Sequence, residues 1–191
     1  MASQTPKELV DLGMLSYGKQ DFSKARKYFE RACGLNNGGG CSGLGFLYKS
    51  GKGVKQDLKK ATQSYSKACD LNNGGGCGNL GVLYQKGEVV EKDLTKAAYF
   101  YSKACGLNNG GGCSGLGFLY KSGKGVKQDL KKATQSYSKA CDLNNGGGCG
   151  NLGVLYQKGE VVEKDLTKAD QYISKACKLG DQEACEVLKE K

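Results

Sequence analysis

The ten cysteines of this chain stand on a fixed ruler: Cys33, Cys41, Cys69, Cys77, Cys105, Cys113, Cys141, Cys149, Cys177 and Cys185. The gaps alternate between 8 and 28 residues, a period of 36. Such a period marks a repeat array, in which each unit buries its apolar face against its neighbours. Arrays of this kind generally offer a partner an extended surface rather than a deep pocket for chemistry.

The repetition extends to whole units. Residues 34–97 recur without one change at 106–169, a shift of 72, and part only afterwards, with AYFY at 98–101 against DQYI at 170–173. Ordinary drift scatters silent surface changes, so the copy is read as a very recent duplication or an engineered two-unit module. Both ends carry their own sequence, as capping units must because their outer faces meet water. The expectation is a single domain over 1–191: an N-terminal capping unit at 1–40, four 36-residue repeats over 41–176, and a C-terminal capping helix at 177–191.

Within one unit, Leu44, Leu47 and Tyr48 stand at i, i+3 and i+4, one face of a first helix. Ser50-Gly51-Lys52-Gly53 breaks it. Asp57 suits the N-cap of a second helix, whose apolar face is Leu58, Ala61, Tyr65 and Ala68. Asn72-Asn73-Gly74-Gly75-Gly76 reads as a stop and a flexible linker, after which Cys77 opens the next first helix. Glycine inside the first helix (Gly45 and its copies) implies a close helix crossing there. The short C-x7-C pairs then clamp the end of each second helix to the start of the following first helix: Cys33–Cys41, Cys69–Cys77, Cys105–Cys113, Cys141–Cys149 and Cys177–Cys185.

An even cysteine count at fixed spacing points to disulfides and an oxidising compartment. In the chain-entropy model each nine-residue loop contributes about 2.5 kcal/mol. With no histidine and no C-x-x-C, neither zinc nor an organic cofactor is expected. Hydrophobic content of 38% is low for a thick core and adequate for a stack two helices wide. No apolar run approaches the roughly 18–20 residues of a membrane span, so no membrane insertion is expected. MASQTPKELV lacks an apolar signal core, so a secretion signal is expected to be absent from this sequence. The net charge of +10 raises nucleic acid as a partner. The lysines, however, recur at 59, 60 and 67 on the outer helix without interleaved aromatics, and only Arg26 and Arg31 are arginines. They are read as a solvated face, and no nucleic-acid partner is expected.

The segment LGFLYKSGKGVKQDLKKATQSYSKAC, residues 44–69, resembles Sel1-like repeats, relatives of the tetratricopeptide repeat. With its C-x7-C pairs, its first unit (PKELVDLGMLSYGKQDFSKARKYFERAC) and its end (ACKLGDQEACEVLKEK), the chain is similar to the Helicobacter cysteine-rich protein family. The resemblance covers nearly the whole length. It implies an all-α, right-handed α-solenoid of helix pairs, one disulfide per unit, and a secreted or periplasmic location. It also implies a host-interacting role and, for some members, penicillin binding with weak β-lactamase activity. A verbatim 72-residue shift between copies departs from the diverged units of such proteins.

Catalytic motifs carry little here. Ser16-Tyr-Gly-Lys19, Ser64-Tyr-Ser-Lys67 and Ser136-Tyr-Ser-Lys139 spell S-x-x-K, but the S-D-N and K-T-G partners are missing. Gly38-x-Gly40-x-x-Gly43 spells a dinucleotide fingerprint after a helix, where a strand is required. The remaining acids read as caps (Asp57, Asp93, Asp129, Asp165) or loop residues (Glu88, Glu91).

What remains is the concave, first-helix face. Positions between the core leucines are Ser42, Phe46 and Lys49, then Asn79, Val82 and Lys86, with Phe118 and Asn151 among their copies. An asparagine there can hold an extended peptide through both its donor and its acceptor. Phe46 and Phe118 are either exposed anchors or core, and periodicity does not decide. The functional expectation is a monomeric, disulfide-stabilised scaffold for a protein or extended peptide. The alternative is a secreted penicillin-binding protein with weak β-lactamase activity.

Overall fold

A computed structural model describes residues 2–88 and 91–190. Among them are eleven helices and no strand. The chain forms two compact units, 1–92 and 93–191. The first holds α1 (Pro6–Gly18), α2 (Phe22–Gly34), α3 (Gly38–Ser50), α4 (Leu58–Asp70) and α5 (Gly74–Lys86). The second holds α6 (Leu94–Gly106), α7 (Gly110–Ser122), α8 (Leu130–Asp142), α9 (Gly146–Lys158), α10 (Leu166–Lys178) and α11 (Gln182–Lys189). Within each unit every helix packs on the next. Alternate helices also meet, α3 touching α1 and α5, and α7 touching α9. The verbatim copies have helix boundaries shifted by the same 72 positions, α3–α5 onto α7–α9; positions 89 and 90 lie outside the described residues.

Second helices start as the sequence predicts. The Asp57, Asp93, Asp129 and Asp165 carboxylates accept the backbone N–H groups of Lys60, Lys96, Lys132 and Lys168 at 2.9 Å. First helices start earlier than predicted. In N-N-G-G-G the first asparagine turns the chain at φ 58–60° (Asn36, Asn72, Asn108, Asn144). The second asparagine is the N-cap, Asn73 Oδ1 accepting from the Gly76 N–H at 2.8 Å. The three glycines are the first helical turn and form no flexible linker. The third of them lies against the preceding helix: a Cβ on Gly76 would stand 2.5 Å from Ala68 Cβ. Close packing there selects glycine, so a residue type read as a stop begins a helix.

All five disulfides close between the predicted neighbours, and no described cysteine is free. Each bridge ties the last turn of a second helix to the first turns of the helix after it. One lysine of the predicted solvated face does more than decorate it. Lys67 Nζ donates to the Cys33 carbonyl at 3.0 Å, and Lys175 Nζ to that of Cys141 at 2.9 Å. Each puts a cation on the carbonyl end of the previous second helix, where the helix dipole favours it.

The core is layered along the array. Ala25, Phe29 and Leu47 cluster in the first unit, and Ala133, Tyr137, Leu152, Leu155 and Ile173 in the second. Phe29, Tyr65, Tyr101, Tyr137 and Ile173 occupy one repeat position, all buried. The rings of Tyr65 and Tyr137 fill the space left by glycine, with a Cβ on Gly45 or Gly117 only 2.8 Å from them. The predicted close crossing is therefore a ring-on-backbone contact.

The hydroxyls of Tyr65 and Tyr137 are buried without a hydrogen-bond partner among the described residues. An orphaned buried polar group is destabilising, and Phe29 shows that the site takes a ring without one. Tyr65→Phe and Tyr137→Phe are expected to be neutral or to stabilise by up to about 1 kcal/mol in urea melts. Burial also pushes the phenols of Tyr65, Tyr101 and Tyr137 up to about 12 from the ordinary 10.0. Between those values the unfolded chain releases these protons and the folded chain keeps them. Stability is thus intact below pH 10 and lost as pH rises towards 12, and the phenylalanine variants should lose less of it.

Candidate functional site

The first-helix stripe is built by helical spacing: Ser42, Phe46 and Lys49 on α3, and Asn79, Val82 and Lys86 on α5. Leu47 and Leu83 are fully buried on the other side of these helices and fix their rotation. Phe46 and Phe118 resolve as surface residues, 44% and 43% exposed. Lys86 is exposed; Ser42, Lys49, Asn79, Val82 and Asn151 are half-buried. Lys86 Nζ lies 3.8 Å from a Glu88 carboxylate oxygen, an exposed pair worth little.

The two asparagines are partly engaged by their own helix. Asn79 Nδ2 donates to the Gly75 carbonyl at 2.9 Å, and Asn151 Nδ2 to that of Gly147 at 2.8 Å. This fixes each amide's orientation and uses one of its two N–H groups, which leaves the other N–H and the carbonyl oxygen for a ligand.

In the second unit, Asn151 lines a cavity of about 140 Å³. Val154 and Gln157 of α9, Ile173 of α10, and Asp181, Glu183, Ala184 and Val187 at α11 complete it. The Asp181 carboxylate caps α11 by accepting from the Ala184 N–H at 3.0 Å. The cavity therefore pairs an apolar floor with an oriented amide and the Glu183 carboxylate. Sequence reasoning treated this C-terminal segment only as a cap and missed its acids. The signal was present: Asp181-Gln182-Glu183-Ala184 stands where the inner units have Asn-Gly-Gly-Gly, so side chains replace three glycines.

The S-x-x-K serines are poorly placed for attack. Ser16, Ser64 and Ser136 are all buried, at 7–9% exposure. Ser16 Oγ donates to the Leu12 carbonyl at 2.8 Å, and Lys67 is engaged by Cys33. The described residues hold no metal-type cluster of three or more acids or cysteines, and no helix long and apolar enough to cross a membrane.

Successive helix pairs joined by local disulfides, with an aspartate cap on each second helix and an asparagine cap on each inner first helix, define an α-solenoid repeat protein. Sel1 repeats match at residues 10–37, 40–73, 76–109, 112–145 and 148–181, and the chain belongs to that family. A Sel1 repeat protein from Oxalobacter formigenes is 32% identical with a TM-score of 0.82, over 92% of this chain and 71% of that one. Helicobacter pylori cysteine rich protein B is 44% identical with a TM-score of 0.57, over 69% of this chain and 95% of that one. HcpA of Helicobacter pylori, named a beta-lactamase, is 54% identical over 54 residues, 28% of this chain and 22% of HcpA. The chain thus spans about a fifth of the curated relatives it matches.

Proposed function

We propose that this protein is a disulfide-stabilised scaffold that binds extended protein segments along the first-helix faces of its units. Residues 1–40 and 177–191 serve as its end caps. Asn79 and Asn151 hold the ligand's backbone, with Ser42, Phe46, Lys49, Val82, Lys86 and Phe118 giving side-chain contacts. The observation that carries this reading is the cavity at Asn151, where an oriented amide stands beside an apolar floor. Five disulfides suit a secreted or periplasmic setting. A peptide-library screen tests it. For peptides that bind, Asn79→Ala and Asn151→Ala are each expected to weaken affinity by about 0.5–1.5 kcal/mol. Changes at Lys59 and Lys131 should leave it unaltered. Control by those lysines instead would make the partner an electrostatic one on the outer face.

The enzymatic reading rests on the beta-lactamase name of HcpA. Three buried serines stand against it. Nitrocefin turnover that disappeared in a Ser64→Ala/Ser136→Ala variant would restore it.

A further inference from the structure

Lys52 lies in the turn between α3 and α4, flanked by Gly51 and Gly53. Both glycines have left-handed backbone, φ 67° and 70°. A Cβ on Gly53 would stand 2.5 Å from the Phe22 carbonyl carbon. The combination requires glycine, and it presses the turn onto the start of α2. Lys52 is thereby carried into a group of three rings. Its Nζ lies 5.0 Å from the ring centroid of Tyr17, 5.2 Å from that of Phe22 and 5.8 Å from that of Phe46. It also donates to Tyr17 Oη at 2.8 Å. Tyr17 meets Phe22 at 5.2 Å and Phe46 at 5.8 Å between centroids, both inclined. The three rings come from α1, α2 and α3: the cation stands against the Phe22 and Phe46 rings and at the hydroxyl edge of Tyr17. Ring clusters of this kind recognise ammonium groups, because their faces carry negative potential.

We propose that Tyr17, Phe22 and Phe46 form a binding site for a methylated ammonium group, closed in the free protein by Lys52 of the same chain. A primary ammonium is strongly hydrated and its long stem loses freedom on docking, so Lys52 is a weak occupant. A quaternary ammonium leaves water more readily and presents methyl groups to the Phe22 and Phe46 rings and to the hydroxyl edge of Tyr17, without the hydrogen bond that Lys52 donates there. Phe46 is 44% exposed, so the site opens to solvent without disturbing the core. The second unit supplies an internal control. Lys124 lies 5.7 Å from the Phe118 ring, but Leu94 packs at Gly125 where Phe22 packs at Gly53. The site shares Phe46 with the peptide-binding face and does not rest on that reading.

The test is a titration with tetramethylammonium chloride, followed by NMR against sodium chloride at matched ionic strength. Lys52→Ala is expected to bind saturably with upfield-shifted methyl protons. A site self-occupied nine-tenths of the time gains about tenfold in affinity when its occupant is removed. Adding Phe46→Ala to that variant abolishes binding, and Lys124→Ala behaves as the unaltered chain. Absence of a saturable shift in folded Lys52→Ala overturns the proposal, as does an equal gain from Lys124→Ala. If Lys52→Ala does not fold, the unaltered chain decides. Shifts of the Tyr17 and Phe46 rings specific to tetramethylammonium support the site, and identical responses to both salts overturn it.

Discussion

Treated with a strong reductant, the chain is expected to lose its helical structure near or below physiological temperature. Each of the five bridges closes a loop with a sequence separation of 8 residues. In the chain-entropy model each such link contributes about 2.5 kcal/mol, so five contribute about 12. A whole domain is typically stable by only about 5–15 kcal/mol. The reduced chain keeps the ring, alanine and glycine contacts between the linked helices, such as Phe29 on Leu47, but loses the loop constraint on its unfolded state. Circular dichroism melts with and without reductant measure this directly. A single double variant, Cys105→Ser with Cys113→Ser, should lose about 2–3 kcal/mol and remain folded. A reduced chain melting within a few degrees of the oxidised one would show that packing alone holds the array together.

Two adjacent glycines are expected to respond to the same substitution with opposite signs. Gly112→Ala places a Cβ 2.5 Å from Ala104 Cβ and 3.2 Å from the Tyr101 carbonyl oxygen. Neither is the end of a flexible side chain, so α6 and α7 must separate, at about 1–3 kcal/mol. Gly111→Ala meets only its own cap, Asn109 Oδ1, at 3.4 Å. It lies on an exposed turn of α7 and should stabilise by up to about 1 kcal/mol through helix propensity. Urea denaturation of the two variants gives the comparison. Equal effects would mean that the run of glycines serves the backbone and not the crossing.

The first-helix face proposed to bind peptide was legible as a set of positions and illegible as chemistry. Spacing places Ser42, Phe46 and Lys49 on one stripe because α-helical periodicity is a local property. It does not say that the Asn79 amide is held by the Gly75 carbonyl, or that Asp181 and Glu183 close a cavity beside Asn151. Phe46 illustrates the limit. Its place beside Tyr17 depends on α1, 29 residues earlier, and no local rule reaches that far.

The sequence by itself determined the period, the disulfide partners, the second-helix caps and the buried alanine face. The caps follow from a side chain acting on its own backbone, the alanine face from helical periodicity, and the disulfide partners from a sequence separation of only 8 residues. Only the tertiary structure decided the rest. It placed the third glycine of Asn-Asn-Gly-Gly-Gly against a preceding alanine, where a Cβ on Gly76 would stand 2.5 Å from Ala68 Cβ. It set Lys67 on a carbonyl 34 residues away and Lys52 among three rings. Propensity assigns glycine to a stop and lysine to water. Packing between helices overrides both, since a crowded backbone favours hydrogen over a Cβ and a helix end or an aromatic ring attracts a cation.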